Sequence, residues 1–112
     1  MGRVVGYTRS ECLEAIAECN RESDRLEGLI ADTQRQVTDS LREIDSYTDR
    51  IVEMKTDPMY ACALGELSAA RRLLRRENRF LGDLIEERDR YLRDKRSVER
   101  DKKLWELALG AV

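Results

Sequence analysis

From Cys12 to Met54 apolar and small residues recur at alternating intervals of three and four, and no proline interrupts them. One set is Ile16, Ser23, Ile30, Val37, Ile44 and Ile51. The other is Cys12, Cys19, Leu26, Thr33, Ser40, Tyr47 and Met54. Two sites per heptad share one edge of an α-helix, whereas a strand would scatter them over both faces. Five of the first six are β-branched aliphatics, which suit a coiled-coil seam.

The second half of the chain repeats the pattern. Leu67, Leu74 and Leu81 hold one seam position, and Ala63, Ala70, Leu84, Tyr91, Val98 and Trp105 hold the other. Glu77, Arg88, Lys95 and Lys102 fall on the same seam, so it is less apolar toward its C-terminal half. Composition agrees with such narrow stripes. Charged residues make up 39% of the 112 and aromatic ones 5%, too little for a broad core but enough for long helices with solvated outer faces.

Helix ends are written in capping chemistry. Thr8 and Glu11 form a T-x-x-E capping box, in which each side chain satisfies a backbone N–H of the other residue. Asp57 suits an N-cap and Pro58 the first helical position, where its missing N–H costs nothing. Pro58 also disfavours helix at Asp57, so the first helix must stop just before it. Gly110 can end the second.

The expected fold is all-α: an antiparallel two-helix coiled-coil hairpin forming one domain over 1–112. Its parts are an arm at 1–7, a helix at 8–55, a turn at 56–58, a helix at 58–108 and a tail at 109–112. A turn centred at Asp57 sets residue i opposite 113 − i. Ile44 then faces Ala70, Ser40 faces Leu74, and Val4, Val5 and Tyr7 lie beside Trp105, Leu107 and Leu109. Residues 1–57 carry 8 Lys/Arg and 13 Asp/Glu, whereas 58–112 carry 13 and 10, so an acidic helix would pair with a basic one.

Large apolar residues remain beside the seam: Leu29, Leu41 and Val52 on the first helix, Leu64, Leu73, Phe80, Ile85 and Leu92 on the second. Such residues either widen the intramolecular stripe or form a second contact, and the second reading is the one expected. Leu29, Leu41, Leu73, Phe80 and Ile85 are the expected self-association or partner seam, completing a four-helix bundle by dimerisation or partner docking. The densest charge is the run Arg71, Arg72, Arg75, Arg76 and Arg79, a basic face for an acidic or nucleic-acid-handling partner, or for nucleic acid itself.

Chemistry has little to work with. The chain has no histidine, and its paired carboxylates sit among charges of both signs. No catalytic residue, metal site, cofactor or small-molecule substrate is expected. The three cysteines form no C-x-x-C pair, and Cys12 and Cys19 occupy seam positions where a thiol serves as a small hydrophobe. MGRVVGY fits neither a signal peptide nor, with Gly6 at the sixth position, a myristoylation pattern. The function expected is a cytoplasmic, non-enzymatic protein–protein interaction module of structural, adaptor or assembly-chaperone type, probing partners by helix packing, with a homodimer foremost.

Overall fold

The computed structural model describes residues 6–57 and 64–112. It is an all-α two-helix hairpin of α1 (Arg9–Thr56) and α2 (Leu64–Gly110). The expectations for Val4 and Val5 in the arm, Pro58 at a helix start and Ala63 on the seam lie outside the described residues, as does the side chain of Leu64.

Local chemistry sets the ends of α1. Glu11 N–H donates to Thr8 Oγ1 at 3.1 Å and Thr8 N–H to Glu11 Oε1 at 3.3 Å, so the capping box is closed in both directions. Gly6, at φ +97°, turns the chain just ahead of this cap in a conformation costly for an L side chain. At the other end Asp57 N–H reaches the Glu53 carbonyl at 2.9 Å. Thr38, Thr48 and Thr56 turn their hydroxyls back to carbonyls four residues earlier, which is how a helix tolerates them. Replacing Thr8 by alanine should cost about 1 kcal/mol, read from the thermal midpoint.

By contacts the chain divides into two units, Thr33–Glu87 and the remainder, 1–32 with 88–112. In Thr33–Glu87, Ile51, Met54 and Ala70 are buried together, with Leu67 and Leu74 packed against them. Val37, Thr33, Ser40 and Leu84 are also buried. All are seam positions of the heptad frame.

Tyr7 lies beside Trp105 as expected, but two facing pairs nearer the turn differ. Ser40 donates to Glu77 Oε1 at 2.8 Å rather than facing Leu74, and Ala70 joins Ile51 rather than Ile44. The displacement at Ser40 is three residues, nearly one helical turn. A register placed from an assumed turn centre carries that turn's error into the seam pairs beside it. The polar groups supply the correction: a buried hydroxyl and a seam carboxylate are costly apart and satisfy each other when aligned.

Ser40→Ala alone should therefore destabilise by roughly 1–2 kcal/mol, because it strands the Glu77 carboxylate on the seam. Combining it with Glu77→Leu should recover much of that loss. A double-mutant cycle of urea unfolding measures the coupling.

In the unit formed by 1–32 and 88–112, Cys12, Leu26 and Ala108 are buried. Cys12 and Cys19 are free thiols. Tyr7 meets Trp105 edge-on, with ring centroids 4.8 Å apart and planes at 84°, the arrangement that aromatic quadrupoles favour. Leu107 does not join them and is 72% exposed. Two residues along a helix is about 200° of rotation, so Leu107 cannot share Trp105's face.

The charged seam positions of this unit are half-buried. Lys95 and Lys102 lay their methylene stems on the seam and reach out to Glu99 and Glu106, each at 3.9 Å. Arg25 holds Glu22 through Nε at 3.0 Å. This hydrogen bond keeps the Glu22 carboxyl below the usual glutamate range and raises Arg25. A lowered carboxylate stabilises the fold above its ordinary pKa, and the contribution is lost as pH falls through the lowered value. Both groups are in water, so the effect is small.

Candidate protein-binding surface

The residues expected to form an outer seam do not lie on one surface. Helical periodicity places Leu73 and Phe80, one heptad apart, on the same face of α2. Leu41 projects from the other flank of the heptad frame, at e where Leu73 and Phe80 are at g. In an antiparallel pair, e positions adjoin e positions and g positions adjoin g, so Leu41 cannot neighbour Leu73. Leu29 and Ile85 are half-buried and widen the intramolecular stripe. Leu41, Leu73 and Phe80 remain exposed, at 47%, 39% and 49%.

The arginine run also divides. A rotation of 100° per residue gathers Arg72, Arg76 and Arg79 beside Leu73 and Phe80, and sends Arg71 to the far flank with Arg75 between. Arg72, Arg75, Arg76 and Arg79 line an open groove with Ala69, Leu73 and Asn78. All five arginines are exposed, and none has a carboxylate within ion-pair distance among the described residues. Arg21, Arg25 and Arg42 on α1, by contrast, each pair with an acid three residues earlier, Glu18, Glu22 and Asp39. Between Glu66 and Asp83 the five arginines meet three acids, a local charge of +2, and one of the three, Glu77, is turned to Ser40.

A matching surface of opposite sign lies on α1, and the sequence reading passed over it. Leu41, Asp45, Asp49, Val52 and Glu53 fall within about a third of a turn of one another around the helix, a sector that also holds Arg42, itself paired to Asp39. All are exposed, Val52 at 53%. Asp49 and Glu53 also line an open groove with Glu66 and Arg50. Spacings of four between Asp45, Asp49 and Glu53 were the available signal, an ordinary one on a solvated helix face.

No helix among the described residues is long and apolar enough to cross a membrane. Comparison with protein-family models, with curated proteins and with solved structures gives no significant match to this chain.

Proposed function

We propose that this protein is a non-catalytic interaction module of the cytoplasm, structural, adaptor or chaperone-like, that binds other helices through its outer faces. The observation that carries this reading is the exposure of Leu41, Val52, Leu73 and Phe80 in a unit whose core is already closed by Ile51, Met54 and Ala70. Large apolar residues left in water beside a complete seam lower solubility and add little to the fold, but they suit a contact.

Affinity capture from the native cell tests it, comparing the wild type with Leu41→Ala/Leu73→Ala/Phe80→Ala. Alanine preserves helix propensity, so the variant stays helical. A protein retained by the wild type and lost from the variant is the expected result. The same proteins retained by both would refute the reading.

A second reading places the arginines first: a small binding protein or inhibitor that presents Arg71, Arg72, Arg75, Arg76 and Arg79 to an acidic partner or to nucleic acid. It is favoured by the missing carboxylate partners. Against direct nucleic-acid binding stand the net charge of −2 and the single aromatic, Phe80, among the arginines. Under this reading Arg72→Glu/Arg75→Glu/Arg76→Glu abolishes partner binding, and salt-sensitive retention of nucleic acid by the wild type separates nucleic acid from an acidic protein as that partner.

A further inference from the structure

The two outer faces of Thr33–Glu87 complement each other. On α1, Leu41 and Val52 are flanked by Asp45, Asp49 and Glu53. On α2, Leu73 and Phe80 are flanked by Arg72, Arg76 and Arg79, with Glu66 and Asp83 in the same sector at its two ends. The carboxylates are spaced four and four, the guanidinium groups four and three, so both rows advance about one residue per helical turn. Leu73 and Phe80 are ~10 Å apart along their axis and Leu41 and Val52 ~16 Å, so one pair fits inside the other when the faces meet.

From this match we infer that the occupant of the basic α2 face is the acidic α1 face of a second copy of this chain. The inference rests on the interaction-module reading and names its partner. Symmetric alternatives fail on charge. Two α2 faces would set arginines against arginines, and two α1 faces would set carboxylates against carboxylates, with like charges desolvated together. Only the unlike contact satisfies both rows.

The unlike contact also determines the kind of assembly. Leu41 lies on the e flank and Leu73 and Phe80 on the g flank, opposite sides of an antiparallel pair. Two copies therefore cannot use both contacts at once in a closed dimer. Each copy leaves one acidic and one basic face open, and further copies add head to tail until the rotation closes a ring or a filament grows. Net charge opposes this little, at −2 for the whole chain. Arginine rows that cost the isolated helix a little through like charges at i,i+4 are neutralised in the assembly.

Sedimentation velocity over roughly a hundredfold range of concentration tests the inference, with circular dichroism checking that each variant is as helical as the wild type. The wild type should pass beyond the dimer as concentration rises and retreat toward monomer in high salt, which screens exposed pairs. Arg72→Glu/Arg76→Glu/Arg79→Glu should weaken association at least tenfold, and so should Asp45→Lys/Asp49→Lys/Glu53→Lys. Mixing the two variants should restore it, because each then offers the other a face of opposite sign. A wild type that stays monomeric, an assembly that stops at the dimer, or variants that associate unchanged would overturn the inference. So would a monomeric wild type that shifts only when an oligonucleotide is added. A monomeric chain that still captures a different protein through Leu73 and Phe80 would leave the interaction-module reading standing and remove the second copy as its partner.

Discussion

Replacing Leu26 by alanine is expected to destabilise the protein by about 3 kcal/mol, within the range seen for buried leucines. Leu26 is 1% exposed on the narrow seam between the two helices. The cost has two parts: the apolar area returned to water, and the cavity left because a long helix cannot bend inward over a single residue to fill it. Equilibrium urea unfolding followed by circular dichroism reads it as a lower midpoint. The slope should stay near that of the wild type if the unfolded states expose similar surface.

Trp105→Ala is expected to be the next most damaging change, at roughly 2 kcal/mol. The side chain is only half-buried, which keeps the cost below that of a fully buried tryptophan. Its loss also removes the ring against which Tyr7 packs. The effect should be local to the unit formed by 1–32 and 88–112. Amides in the first turns of α1, from Cys12 to Ile16, should lose hydrogen-exchange protection, and those around Ile51 and Ala70 should keep it. Because Trp105 is the only tryptophan, its emission in the wild type reports the same event without substitution. Urea should move that emission to longer wavelength as the Tyr7 contact opens.

The heptad frame made the fold readable. Every seam position named on α1, from Cys12 to Met54, is buried or half-buried, because β-branched and small residues at that spacing leave a helix one way to hide them. The capping box at Thr8 was legible for a similar reason: both partners lie within four residues. Register was less legible. It depends on the connection between the helices and on a few polar pairs such as Ser40 with Glu77, whose preference appears only when the helices are side by side.

The outer faces were partly legible. Exposed leucines and the arginine run stand out in the sequence, but which of them share a face does not follow from their being near neighbours. Leu41 and Leu73 look alike in the sequence, but the heptad frame puts them on opposite flanks. The run at Arg71–Arg79 reads as one cluster until helical rotation separates Arg71 from Arg72, Arg76 and Arg79. Asp45, Asp49 and Glu53 went unnoticed because four-residue spacing of carboxylates is ordinary on a solvated helix. They acquire meaning beside Leu41 and Val52, and opposite in sign to the α2 face.

The central claim is a division of labour, in which the seam holds the helices together and Leu73 and Phe80 are kept for a partner. Urea unfolding of Leu73→Ala/Phe80→Ala beside Leu26→Ala tests it most directly, at a concentration and salt where the wild type is dispersed. The account predicts that the double variant loses less stability than the single one, because each outer residue already leaves about two-fifths or more of its surface in water. A double variant as unstable as Leu26→Ala, or less stable, would show that these residues belong to the chain's own core, and would contradict the account.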